Sequence, residues 1–125
     1  MKEYIQFLVL LLLFDSVWIS RPFHSKQYES IQKSEMRVDM LAGGLFYLLA
    51  PLGYFLFVKK LSKTREDAFK YGALLGFLMY STYDLTNKAV FIDYKWSYAI
   101  ADIVWGTLLF GVVSSVLFSF NPQKE

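Results

Sequence analysis

Two aspartates in this sequence each stand three residues from a tryptophan: Asp15 before Trp18 in "LFDSVW", and Asp102 before Trp105 in "IADIVW". A third, Asp84, lies in "YSTYDLTN", with Tyr80 and Tyr83 before it and Thr86 and Asn87 after it. Carboxyl groups can take up a proton, act as a general base, or hold a hard cation such as Mg2+, Mn2+ or Ca2+ through oxygen. Residues three or four apart share a helix face, so Tyr80, Asp84 and Asn87 form one stripe and each Asp–Trp pair forms another. An indole N–H donates and has no acceptor function, which suits tryptophan to a carboxylate. His24 is the sole histidine, and there is no cysteine. Thiol nucleophiles, disulfides and cysteine-based metal centres are therefore excluded. Neither HxxxH nor HExxH occurs, and one loop histidine gives no credible Ser-His-Asp arrangement.

The segments that carry these residues are apolar. The chain has 125 residues, 55% of them hydrophobic, with a mean hydropathy of +0.34. That size fits a single domain, 1–125, and the long apolar stretches are a membrane signature. A net charge of +2, with basic residues clustered between apolar runs, argues against a nucleic-acid partner. Four spans are expected, at about 4–20, 39–58, 68–87 and 97–120, the last ending at Asn121-Pro122. Segment 21–38 is polar, with sparse apolar residues (Phe23, Tyr28, Ile31, Met36), and reads as a short amphipathic helix at the interface. Lys2 before the run Ile5 to Phe14 resembles a signal peptide. The lack of a small-x-small cleavage pattern and the continuation to Ile19 favour an uncleaved span. No lipidation motif is visible at either end.

Pro51 should free the carbonyl of Tyr47 and bend the second span. Gly72 and Gly76 form a small-xxx-small pattern, for packing within one bundle or at a homodimer seam. Trp18, Tyr94, Trp96 and Tyr98 suit an interfacial aromatic belt. The expected architecture is all-α: an integral membrane antiparallel four-helix bundle, multi-pass, both termini on one side, with the lipid bilayer as its partner. The side with the termini and loop two holds seven basic residues (Lys2, Lys59, Lys60, Lys63, Arg65, Lys70, Lys124), and the opposite side six (Arg21, Lys26, Lys33, Arg37, Lys88, Lys95). The bias favours termini inside.

In that topology the three aspartates share one depth, one to two turns inside the face that carries segment 21–38 and the third loop. An aspartate at mid-membrane costs about 2.5–3.5 kcal/mol on insertion scales, so partners, water or protonation must compensate. If spans one and four pack antiparallel, Asp15 falls level with Trp105 and Trp18 with Asp102, and each indole can serve the carboxylate across the seam. Buried Asp–Trp bonds can also exist solely to join helices. His24 reads as a surface residue or a group that closes over the site, and Tyr80 as an interfacial aromatic or part of it.

The stretches "FDSVW", "LFYLLAPLGYFLF", "YSTYDLTN" and "DIVWG" together resemble the bacterial membrane-protein family known as domain of unknown function 2177. The resemblance covers nearly the whole chain and implies four spans, a polar site and, for a bacterial source, the cell membrane; it implies no reaction. The leading functional expectation is ion or small-solute binding or transport at Asp15, Asp84, Asp102, Asn87, Thr86, Tyr83 and Tyr80, supported by Trp18, Trp105 and His24. No cofactor is required, and a hard cation held by Asp15, Asp84 and Asp102 is the open alternative. A membrane-embedded enzyme or lipid-binding protein is the second reading, and a structural or assembly protein the third.

Overall fold

The computed structural model describes residues 1–35 and 37–121; Met36, Pro122 and Lys124 of the sequence reading lie outside the described residues. Five helices form among the described residues, and no strand: α1 (Lys2–Ile19), α2 (Pro22–Gln32), α3 (Met40–Leu61), α4 (Arg65–Val90) and α5 (Trp96–Phe120). Their boundaries follow capping chemistry. Pro22 opens α2, where its missing N–H costs no intrahelical bond. Asp39 caps α3, its Oδ1 accepting from the N–H groups of Leu41 and Ala42 at 3.0 and 3.1 Å. Thr64 caps α4 by accepting from Asp67 N–H at 3.1 Å, and the Asp67 carboxylate reaches back to Lys63 N–H at 3.1 Å. In α3 the helix runs through Pro51 and widens into a π-helical turn at Tyr54–Val58, so the disturbance expected at the proline is followed by a change of helical pitch.

Two of these helices, α3 with 22 residues and α5 with 25, are each long and apolar enough to cross a membrane. The pair α1 and α2, bent by 69°, passes the same test together and brings the candidates to three. Four spans were expected. The helix that falls short is α4, which spreads Arg65, Glu66, Asp67, Lys70, Asp84 and Lys88 along its 26 residues. Apolar side chains such as Leu13, Val17, Leu49, Phe57, Leu78 and Ile100 stand exposed on the long helices, as lipid contact requires.

Packing is densest between α4 and α5, followed by α1 against α5 and α1 against α3. Glycine sets the closest approach. A Cβ on Gly76 would overlap the Gly106 carbonyl, one on Gly72 would overlap Ser114 and the Phe110 carbonyl, and one on Gly106 would overlap the Tyr80 ring. The Gly72/Gly76 pattern is thus consumed within the chain. The descending pairs Gly72–Ser114 and Gly76–Gly106 make α4 and α5 antiparallel. The main core, Phe7, Leu11, Tyr54, Val58, Phe110, Val113 and Leu117, lies toward the termini, whereas a second cluster of Tyr94, Tyr98 and Ala99 lies under α2. Gly76→Ala is expected to cost about 1–3 kcal/mol through overpacking. Gly43→Ala, whose Cβ would meet nothing within 4 Å, should be neutral or stabilising. Thermal unfolding of the two variants in detergent micelles checks both.

Candidate functional site

The antiparallel register of α1 and α5 sets the first part of the site. Trp105 Nε1–H donates to Asp15 Oδ1 and Trp18 Nε1–H donates to Asp102 Oδ1, each at 3.0 Å. The two indoles stack, with centroids 5.2 Å apart and planes 12° from parallel. This is the exchange that the Asp-x-x-Trp spacing predicts for antiparallel helices. Asp15 gains a second donor from α3, the Tyr47 hydroxyl, at 2.6 Å on Oδ2. Both aspartates are 5% exposed. Asp15 therefore has a donor on each oxygen, from two different helices, and it ties α1, α3 and α5 together.

Asp84 is different. It projects from the buried face of α4 and is fully enclosed, at 0% exposure. Its Oδ1 accepts from the Tyr94 hydroxyl, and Asn87 lies in hydrogen-bond range of that same hydroxyl. Its Oδ2 is buried with no donor among the described residues. The Asp102 carboxyl group lies within range of a direct hydrogen bond and charge interaction with Asp84. Two carboxylates present only acceptors, so neither completes the other unless a proton lies between them. The two ion pairs among the described residues, Lys33–Asp93 and Lys59–Glu3, involve none of the three buried aspartates.

The site is closed on its third side by α2. His24 is 6% exposed and sits edge-on to Trp18, Phe23 and Tyr98, with centroids 4.8, 5.6 and 5.3 Å away. Its Nδ1 is 2.6 Å from the Tyr98 hydroxyl, while Nε2 is buried without a partner among the described residues. Tyr98 donates to Tyr28 at 3.4 Å, and Tyr28 shares a 2.7 Å hydrogen bond with Tyr83. Gln27 donates to the Asp93 carbonyl at 3.3 Å, and Lys33 pairs with the Asp93 carboxylate at 3.4 Å. Burial lowers the His24 pKa from its ordinary value near 6.5, opposed by the negative charges of Asp102 and Asp15.

Of the residues singled out in the sequence, Asp15, Asp84, Asp102, Trp18, Trp105 and His24 come together. Tyr80 joins them by packing its ring on Gly106, within electrostatic range of all three aspartates. Asn87 reaches the site through Tyr94, whereas Thr86 is exposed and apart from it. Tyr83 is 48% exposed and touches the network only through Tyr28. No group of three His, Cys, Asp or Glu side chains converges to hold a metal ion among the described residues. The sequence reading missed Tyr28, Tyr47, Tyr94 and Tyr98. Tyr94 and Tyr98, assigned there to an interfacial belt, are each 1% exposed and point inward. Tyr94 precedes α5, so helical spacing offered no signal that links it to Tyr98.

A shallow cleft of about 560 Å3 borders the stacked indoles, lined by Val17, Trp18, Arg21, Pro22, Phe23 and Trp105. The family model described as "Predicted membrane protein (DUF2177)" matches residues 1–119. No curated protein and no solved structure matches the chain.

Trp105→Phe removes one donor from buried Asp15 and is expected to cost about 1–3 kcal/mol. Combining it with Trp18→Phe should give a non-additive loss, because the two rings stack; chemical unfolding of the single and double variants measures this. A second expectation concerns pH. The docked His24 favours the neutral imidazole, so its contribution is present above the unfolded value near 6.5 and is lost as pH falls through the lower folded value. Amide exchange across Pro22–Gln32 in nanodiscs, corrected for intrinsic rate, should therefore accelerate below that pH, and His24→Gln should abolish the acceleration.

Proposed function

The chain belongs to the predicted membrane-protein family DUF2177, and on that premise we propose that it is a four-span antiparallel bundle whose buried Asp84–Asp102 pair binds a proton, in the service of ion or small-solute transport. The observation that carries this reading is Asp84: wholly enclosed, one oxygen bonded to Tyr94, the other without a donor and beside a second carboxyl group. Two full charges at about 4 Å would repel by about 4 kcal/mol at an effective dielectric of about 20. A single shared proton removes that repulsion and supplies Oδ2 with its missing donor. Such a proton sits where it can be exchanged for a substrate ion or coupled to movement of one, which is the usual use of intramembrane acids.

This reading divides the three aspartates. Asp15 is satisfied on both oxygens and acts as a helix tie, while Asp84 and Asp102 are the working pair. The fourth span is α4, with Asp84 turned toward α5 and exposed Phe77, Leu78 and Leu74 toward lipid. A proton fits the site better than a divalent cation, because three ligating groups do not converge. A second reading, binding of a lipid or another apolar molecule, is favoured by the cleft beside Trp18 and Trp105, whose walls are mostly apolar and include Arg21.

Infrared difference spectroscopy in lipid tests the proposal. Wild type should show a protonated-carboxyl band that titrates with pH, vanishes in Asp84→Asn, shifts in Asp102→Asn, survives in Asp15→Asn and ignores added Mg2+. A carboxyl region silent to pH, with the Asp84 and Asp102 variants costing stability alone, would reduce the pair to helix glue.

A further inference from the structure

We propose that His24 and the hydroxyl groups of Tyr98, Tyr28 and Tyr83 form a proton path between the buried carboxyl pair and the protein surface. The path rests on the proton-binding reading of Asp84 and Asp102. Its links are 2.6 Å from His24 to Tyr98, 3.4 Å from Tyr98 to Tyr28 and 2.7 Å from Tyr28 to Tyr83. Exposure runs the same way, from buried His24 and Tyr98 to half-exposed Tyr83.

The state of the imidazole depends on which partner donates in the 2.6 Å bond between His24 and Tyr98. In the tautomer that starts the relay, Tyr98 gives its single proton to Tyr28 and accepts from His24, so the histidine proton lies on Nδ1 and Nε2 is a bare lone pair. In either tautomer Nε2 is buried without a partner among the described residues, a costly arrangement that a phenylalanine in the same aromatic box would avoid. A docking role for His24 needs only Nδ1. A proton acceptor needs Nε2 as well, next to the indole that holds Asp102 and inside the field of that carboxylate.

One transfer balances as follows. A proton leaves the carboxyl pair and bonds to Nε2, and the Nδ1–H bond breaks as its proton passes to the Tyr98 oxygen. Tyr98 passes its proton to Tyr28, Tyr28 to Tyr83, and Tyr83 to water. Each O–H or N–H bond broken is matched by one formed, and nothing is oxidised or reduced. Rotation of the three hydroxyls and return of the imidazole to its first tautomer reset the chain. The hop onto Nε2 has no hydrogen bond bridging it here, so it is the gated step.

The sole histidine of the chain is a unique reporter. With 15N-histidine protein in lipid bilayers, deuterium exchange at the His24 Nδ1–H can be timed by solid-state NMR alongside the amides of Pro22–Gln32. Tyr83→Phe and Tyr28→Phe should each slow the Nδ1–H exchange by about tenfold or more with the α2 amides unchanged. Unchanged exchange in both variants overturns the path, whatever the infrared result. Should Tyr28→Phe loosen α2, Tyr83→Phe at the half-exposed end decides alone, since Gln27 and Lys33 still hold α2 to Asp93. Slowed exchange with a silent carboxyl region would keep the path and remove the carboxyl pair as its source.

Discussion

The exchange of hydrogen bonds between Asp15, Trp105, Trp18 and Asp102 sets the register of α1 against α5, and most of the site inherits its position from it. An aspartate in an apolar helix is tolerable only where donors meet it, and an indole three residues away on the partner helix does so only in antiparallel alignment. A slip of one residue would turn both carboxylates off the seam by about 100° of helix rotation. The stacking of the two indoles holds both donors in place, so the two bonds support each other.

The second constraint is steric. Gly72, Gly76 and Gly106 let α4 and α5 approach at backbone contact, and that approach brings Asp84 alongside Asp102. A larger residue at these positions would separate the carboxyl groups. The two faces of α4 divide accordingly: Asp84 faces α5, while Phe77, Leu78 and Leu85 face outward. Packing and chemistry are one requirement here, since the glycines that shape the seam also determine how near two acids stand.

On this frame α2 is an added lid. It is short and mostly polar, and it reaches the bundle through hydrogen bonds of His24 to Tyr98, Tyr28 to Tyr83 and Gln27 to Asp93, and through ring contacts of Phe23 and His24 with Trp18 and Tyr98. Because His24 stands at the centre of that aromatic box, the attachment of α2 depends on the protonation state of one residue. Its buried imidazole meets the series of hydroxyls Tyr98, Tyr28 and Tyr83, which ends at a half-exposed side chain.

Apolar runs, the two Asp-x-x-Trp spacings and the Tyr83–Asn87 stretch made helices, a membrane setting and the α1–α5 exchange legible in the sequence, because each depends on local periodicity and on donor and acceptor types. The helix tally by length and hydropathy was less legible, since α4 mixes charges with lipid-facing residues, and its place depends on which side each faces. The roles of Tyr94 and Tyr98 were not legible. An aromatic near a helix end serves an interface or an interior equally well until the helix is rotated and packed, and only packing turned these two inward. Packing likewise took His24 from a polar segment into an aromatic box and left Asp84 with an unmatched oxygen. The sequence by itself determined that aspartates in apolar helices need partners and what each group could donate or accept. Only the tertiary structure decided which of them meet, because contact between distant segments depends on helix rotation and approach distance.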